Sequence, residues 1–393
     1  MEIKDNAKLN IGFFSDVFYP YVDGVVSVVN GLANYLDKIG KVYVFCPRPR
    51  DKKYKYNKHY EIINCKSIKI PILGMDYPRP KKDKAFLNKI ANLDLDIIHI
   101  HSPFAMGAFG LELAKQKNIP IVATLHSQFK KDFKRFAKLN SIVKILMKKI
   151  MAIFNGADEV WTFNSGCKKT LYEYGFKGKC RLVSNATEMT PILNLEEKIK
   201  SVNEEYGLTN TEHIFIFVGR LYKAKNNGMT IKALSVLKQR GVTNFKFVIV
   251  GKGEDYRNLK KLVTKYELEK NVVFTGIIHD RIKLAALLER SDLFLFPSLY
   301  DMSSIVQIEA ACYKTPVVFL KGANTASEIT HEVNGFISNN NITDYVNTIK
   351  AAISDKEKLQ KVGEQAHKDL YVTWSQLADK VYAEYLEIIK AKI

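Results

Sequence analysis

The sequence has no apolar run of about eighteen residues, so no segment of it reads as a membrane span. Met1 to Asn10 is polar and leads straight into a strand-like segment; without the apolar core of a secretory signal, it gives the expectation of a cytoplasmic protein. Cysteine is sparse. Cys46, Cys65, Cys167, Cys180 and Cys312 are scattered and odd in number, with no Cys-x-x-Cys pair, which argues against a disulfide framework and a structural zinc site. Acids are also few, 41 against 60 lysines and arginines, leaving a net charge of +19. That charge suits anionic lipid surfaces, nucleic acid or phosphate-bearing substrates. Fifty of the 60 cations are lysine, however, and such a bias raises charge everywhere without selecting a partner. The lysines are not interleaved on one recognisable nucleic-acid module, so nucleic acid is not an expected partner.

What is present is an alternation. A chain of 393 residues, 47% hydrophobic and 26% charged, is of a size for two domains of ordinary volume. Short apolar runs at residues 9–14, 42–45, 97–100, 119–124 and 159–163 read as buried strands, with helix-period segments at 29–36 and 107–115. A polar stretch follows, with Pro191 and the acidic-basic run Glu196 to Lys200. A second series then begins, with strands at 214–218, 245–250, 272–275, 293–296 and 316–320 and helices at 230–240, 255–266, 281–290 and 305–312. The expected fold class is therefore α/β: two Rossmann-like, doubly wound domains facing across a cleft. Residues 1–190 form the first, 191–211 an inter-domain connection, 212–372 the second, and 373–393 an amphipathic helix that returns to the first. Ligands of such sheets bind beyond the carboxyl ends of the strands.

The notable residues fall at those ends. Asp301 lies in a loop after a buried strand, and Glu309 eight residues on, in a helix that starts near Ser303, Ser304 and Ile305. A helix start offers free N–H groups to phosphate, and the two carboxylates can accept hydrogen bonds from sugar and ribose hydroxyls. A capped helix carrying one surface Glu accounts for the spacing as well. Phe217-Val-Gly-Arg-Leu-Tyr-Lys-Ala-Lys-Asn226 follows another strand; beyond Gly219, Arg220 offers a planar fork and Lys225 a point charge to a diphosphate, or the two form a solvated pair. Gly251 and Gly253 end a third strand, where backbone can approach a ligand closely, although a tight turn explains them too and the third glycine of the dinucleotide fingerprint is absent.

The stretch from Pro297 to Val318 resembles the signature of family-four retaining glycosyltransferases of GT-B architecture: Pro-Ser, an acid, seven residues, Glu-Ala, a small-residue turn and Pro-Val-Val. The resemblance spans about residues 9–390 and is strongest from Phe217 to Val318. It implies that Asp301 holds the donor sugar and Glu309 the nucleotide ribose, that Arg220 and Lys225 hold the diphosphate, and that Gly251 and Gly253 lie beside the nucleotide. Two features depart from the family pattern: the first acid is Asp rather than Glu, and Met302-Ser303-Ser304 replaces a Gly-Phe-Gly-like link. In the first domain, Gly24 stands at the entrance of helix one where similar enzymes carry a glycine, and the Gly-Val version resembles glycolipid-making members. His126, in Thr124-Leu-His126, matches a Thr-x-His that contacts the donor sugar in similar enzymes. Of His99 and His101, the second, at the strand end, is the expected site neighbour. Asp94-Leu-Asp96 mimics a metal-binding Asp-x-Asp but precedes its strand, and the family resembled needs no metal; no cofactor is expected.

Residues 129–154 carry Lys130, Lys131, Lys134, Arg135, Lys138, Lys144, Lys148 and Lys149 against the single acid Asp132, with apolar residues at helical spacing. A basic amphipathic helix can lie in an anionic lipid interface. That surface is assigned to Lys130, Lys131, Lys134 and Arg135, whereas the part after Asn140 is expected to pack on the sheet as an ordinary domain helix. The favoured expectation is transfer from a nucleotide-diphospho sugar, a UDP-sugar first, to a lipid or lipid-linked envelope acceptor at the inner face of the plasma membrane. The alternatives are a surface-polysaccharide glycosyltransferase and a catalytically weak scaffold subunit.

Overall fold

A computed structural model describes residues 8–392 except 22, 52, 71–74 and 138, so residues 1–7 and Lys138 of the segments above lie outside the described residues. The chain divides into two compact units, residues 1–186 with 374–393, and residues 187–373.

The first unit runs β1 (Asn10–Phe14), α1 (Gly24–Ile39), β2 (Lys41–Pro47), β3 (Glu61–Cys65), β4 (Ser67–Ile70), β5 (Met75–Pro78), α2 (Lys84–Ala91), β6 (Ile97–Ile100), α3 (Ala105–Lys117), β7 (Ile121–Thr124), α4 (Phe129–Phe136), α5 (Asn140–Phe154), β8 (Glu159–Thr162), α6 (Ser165–Glu173) and β9 (Cys180–Leu182). Its sheet is parallel, in the order β3-β2-β1-β6-β7-β8-β9; β4 and β5 form a separate antiparallel pair. The second unit runs α7 (Glu196–Tyr206), β10 (His213–Val218), α8 (Asn227–Gln239), β11 (Phe245–Val250), α9 (Tyr256–Lys265), β12 (Val272–Gly276), α10 (Arg281–Arg290), β13 (Leu293–Phe296), α11 (Ile305–Cys312), β14 (Val317–Leu320), β15 (Phe336–Ser338), α12 (Ile342–Ser354) and α13 (Lys356–Leu370). Its sheet is also parallel, ordered β12-β11-β10-β13-β14-β15. The last helix, α14 (Trp374–Lys392), belongs to the first unit.

The physical basis is burial on both sheet faces. Ile-Phe-Ile-Phe-Val in β10, Phe-Val-Ile-Val in β11, Leu-Phe-Leu-Phe in β13 and Val-Val-Phe-Leu in β14 are buried throughout, as strands covered by helices on both sides must be. Helix starts follow the sequence: the side chains of Asp23, Asn164 and Asn341 accept N–H bonds at the first turns of α1, α6 and α12. In each sheet the strand order reverses once, between β1 and β6 and between β10 and β13. In sheets of this kind, the loops after the strands at each switch point are where ligands bind. In the second unit these loops carry Arg220, Lys225 and Asp301, and in the first the loop after β1 leads to Gly24 at the start of α1.

One segment differs from expectation. Residues 191–211 are not simply a connection, because Glu196–Tyr206 is a helix whose Val202 is buried with flanking Leu195 and Leu208 in the core of the second unit. Ile199 and Tyr206, partly buried, pack against the same core and complete the stripe, which the surrounding charges conceal.

The α14 helix buries Trp374, Leu377, Ala378, Val381, Tyr385 and Ile388, one apolar face of a helix at the i, i+3, i+4, i+7 spacing. Its first residue sets its seat. A Cβ on Gly31 of α1 would lie 2.3 Å from the Trp374 ring, so only glycine lets the indole lie against α1. Replacing Trp374, 2% exposed, by Ala should destabilise the first unit by about 3–5 kcal/mol. Urea unfolding followed by a first-unit probe would show it; a loss within error would mean that α14 is held elsewhere.

Candidate functional site

In the second unit the site starts from two loops in main-chain contact. The Leu221 N–H donates to the Lys252 carbonyl at 2.9 Å, and the Asp255 N–H donates to the Leu221 carbonyl at 3.1 Å. A Cβ on Gly251, which sits at φ +135°, would be 2.0 Å from the Gly219 carbonyl oxygen, and one on Gly253 1.9 Å from that of Leu221. Both glycines are therefore required by the neighbouring backbone itself, before any ligand is considered.

That contact positions the next turn. Residues Lys223–Lys225 form a 3-10 turn, and Asn226, at φ +61°, donates from its side chain to the Pro297 carbonyl at 3.3 Å, tying the loop after β10 to the end of β13. The Lys225 ammonium then lies 2.5 Å from Asp301 Oδ1, while Ser298 Oγ donates to Asp301 Oδ2 at 2.5 Å. Two residues read independently from the sequence thus meet as a partly buried ion pair. The Arg220 side chain is exposed. Ser304 is the N-cap of α11, but its side chain makes no capping bond, so the first N–H groups from Ile305 onward lack a side-chain cap. Ser303 precedes it, half-buried. Glu309 is buried, and its Oε1 accepts from the Arg281 guanidinium at 2.5 Å. Sequence reasoning missed Arg281: a residue 28 positions away, at the start of another helix, carries no signal linking it to Glu309. Ser298 was quoted in the motif but had no role.

In the first unit, Gly24 opens α1 behind the Asp23 cap, and a Cβ there would meet nothing within 4 Å. Unlike Gly251 and Gly253, it owes its identity to no protein neighbour among the described residues. Asp16, unnoticed in the sequence, accepts from the Phe104 and Met106 N–H groups at 3.2 and 2.9 Å and so caps α3. Asp96 Oδ2 accepts from the Asn10 N–H at 2.7 Å, the role of a strand-entry turn.

His99 is buried, with Nδ1 2.5 Å from Tyr385 Oη and Nε2 2.7 Å from Thr124 Oγ1. His101 Nδ1 lies 3.2 Å from Nε2 of the half-buried His126. Burial drives all three imidazoles toward neutrality, taking His126 down to about 3.

Lys130, Lys131, Lys134 and Arg135 are exposed on α4, whose Phe129 is buried against Phe104 and Phe154. The segment after Asn140 departs from the expectation of ordinary packing. Val143, Ile150, Met151, Ile153 and Phe154 turn inward, but Leu139, Ile142 and Ile145 are 61%, 44% and 58% exposed. The helix has more apolar residues than its buried stripe accommodates, and the surplus faces outward beside Lys144, Lys148 and Lys149.

The histidines give a pH prediction. Their folded pKa values lie below the unfolded value near 6.5, so the unfolded chain binds more protons and stability falls as pH drops below about 6.5. His126→Asn should flatten that dependence by about 1.4 kcal/mol per pH unit between about pH 4 and 5.5. Urea titrations at several pH values would measure the slope, and an unchanged slope would mean that His126 titrates normally.

Two family profiles match the chain: Glycosyltransferase Family 4 over residues 22–190, and Glycosyl transferases group 1 over residues 198–369. The chain is 24% identical to alpha-monoglucosyldiacylglycerol synthase of Acholeplasma laidlawii, covering 97% of this chain and 96% of that enzyme. In structure it is similar to sucrose-phosphate synthase of Thermosynechococcus elongatus, with a TM-score of 0.80, 21% identity and coverage of 98% and 100%. It is likewise similar to Anabaena HepE, solved with UDP and glucose, with a TM-score of 0.74, 18% identity and coverage of 96% and 99%. Two parallel-sheet α/β units, the paired profiles and these likenesses agree, and the chain belongs to the family-four glycosyltransferases of GT-B fold.

Proposed function

We propose that this glycosyltransferase moves a hexose from a UDP-sugar to a hydroxyl of a lipid or lipid-linked acceptor, with retention at the anomeric carbon and without a metal or other cofactor. The observation that carries the donor half is the partly buried Lys225–Asp301 pair beside the uncapped start of α11. The α11 N–H groups from Ile305, with Ser303 and Ser304, Arg220 and Lys225, receive the diphosphate. Glu309 takes the ribose hydroxyls and Asp301 a sugar hydroxyl. As the anomeric carbon–oxygen bond breaks, negative charge grows on the leaving diphosphate. Lys225 is held there in advance by Asp301, with the exposed Arg220 close by in sequence, and preorganised charge of this kind is the largest single contribution open to such a site. The acceptor oxygen bonds to the anomeric carbon and its proton passes to the leaving diphosphate oxygen, so no protein nucleophile is required. In the first unit, Gly24 leaves room for a ligand at the start of α1, and His126 serves a sugar oxygen. The relative from Acholeplasma and the UDP and glucose bound by HepE support the lipid acceptor and the donor.

The acceptor half rests on the exposed Leu139, Ile142 and Ile145 with their ring of lysines. Among the described residues no helix is long and apolar enough to cross a membrane. Apolar residues amid cations suit peripheral attachment to an anionic leaflet, the inner face of the plasma membrane, with α4 and its Lys130, Lys131, Lys134 and Arg135 alongside.

Thermal unfolding with UDP, GDP or ADP tests the donor. UDP at a hundred times its dissociation constant should add about 2.7 kcal/mol of stability, and Glu309→Ala should abolish the shift. Lys225→Ala should fold and lose turnover. Equal shifts with all three nucleotides would remove the UDP assignment, and no shift with any would turn the reading to a scaffold subunit. For the membrane, the protein should sediment with phosphatidylglycerol-containing vesicles at low salt and less with pure phosphatidylcholine. The double substitution Ile142→Ser, Ile145→Ser should release it. Equal binding by that variant would place the contact elsewhere, and no binding to either vesicle would favour a soluble glycan acceptor.

A further inference from the structure

His101 has a peculiarity that the donor chemistry does not use. It is 1% exposed, its ring is stacked on His99 at 4.1 Å between centroids, and Phe13 meets it edge-on at 4.7 Å. Its backbone N–H is fixed to the Phe14 carbonyl at 2.9 Å. Nδ1 lies 3.2 Å from His126 Nε2, whereas Nε2 is buried and has no partner among the described residues.

Two neutral arrangements fit that pair. In one, His126 donates from Nε2 and His101 accepts at Nδ1. The His101 proton then sits on Nε2, a buried N–H with no acceptor, which costs about 1–3 kcal/mol. In the other, His101 donates from Nδ1 and keeps a bare lone pair at Nε2. Orphaned acceptors are tolerated in protein interiors more often than orphaned N–H donors. A third arrangement, a charged His101 donating from both nitrogens, is opposed by burial beside two further imidazoles.

We infer that His101 is a positioning residue: its Nδ1–H donates to His126 Nε2 and locks His126 as the Nδ1–H tautomer, so that His126 meets substrate as a neutral hydrogen-bond donor rather than as a base. The partner at Nδ1 is an acceptor oxygen of a bound sugar, and a neutral donor suits an oxygen that keeps its own proton throughout the reaction. A ring nitrogen already occupied on one side defines what the other can do. This deepens the role proposed above for His126 and rests on that reading for its substrate, but the tautomer itself does not.

Long-range 1H–15N correlation spectra of histidine-labelled, ligand-free protein at neutral pH decide the tautomer, with signals assigned from single His variants. The expected pattern is a protonated Nδ1 and a bare Nε2 at both His101 and His126; a protonated Nε2 at His126 would overturn the inference. Kinetics give the second arm. His101→Asn keeps an N–H where Nδ1 stood and should hold kcat near wild type. His101→Leu removes it and should lower kcat about 10- to 100-fold, with KM for the UDP-sugar little changed. Equal losses in both variants would overturn the positioning role. Should His101→Leu fail to fold, the spectrum of the wild-type protein still distinguishes the two tautomers. A wild-type protein that shows the expected tautomers yet transfers no sugar would sink the proposed function and leave the tautomer assignment standing.

Discussion

The second unit is organised by how closely two loops approach at the carboxyl edge of its sheet. Neighbouring parallel strands bring β10 and β11 side by side, but their loops would splay if Gly251 and Gly253 carried side chains, because each Cβ would run into the main chain of residues 219–221. With the loops in contact, the turn at Lys223–Lys225 has one path, and Asn226 binds it to the end of β13. Only then do Lys225 and Asp301, 76 residues apart, come within 2.5 Å. The charges at this site are thus brought together by backbone contacts and hydrogen bonds that fix the two loops.

The two candidate clusters, one in each unit, hold their ionisable groups in different ways. In the second, opposite charges are paired: Lys225 with Asp301 and Arg281 with Glu309. In the first, His99, His101 and His126 are gathered with no carboxylate bonded to them among the described residues, and burial drives them toward neutrality. The division suits the chemistry proposed. A diphosphate acquiring charge is stabilised by cations fixed in place, whereas hydroxyls that keep their protons are sorted by neutral donors and acceptors. Tyr385 of α14 takes part in this arrangement, bonding His99 while its ring stacks on Trp161 at 5.3 Å. The C-terminal helix therefore bears on the histidine cluster as well as on the seat of α1.

Much of this was legible because its signals are local. Strands buried on both faces leave continuous apolar runs, and β10, β11, β13 and β14 were readable for that reason. The three-residue β9 and β15 were not, since neither is long enough to show a period. The acids and cations of the second unit stand in contiguous motifs, and their loops could be placed by counting from strand ends. Their partners could not. Arg281 reaches Glu309 from another helix, Asp16 caps a helix some 90 positions away, and His101 meets His126 across two strands. Such contacts are properties of the sheet order, which no short window contains.

Charge was the most ambiguous of the sequence signals, and the exposure of apolar side chains adds what charge alone lacks. A net +19 spread over lysines selects no partner, and α4, the helix with the denser run of cations, turns its Phe129 inward. Discrimination comes from α5, which leaves Ile142 and Ile145 in solvent among lysines that have apolar surface beside them. A cation alone is attracted to any anion. On the reading proposed above, a cation next to uncovered isoleucine suits a surface that is anionic and has an apolar layer just beneath it, as a bilayer leaflet does, because the hydrophobic contribution is added only where water leaves that patch. The same reasoning weighs against nucleic acid, whose backbone offers the charge but no apolar layer for those side chains to enter.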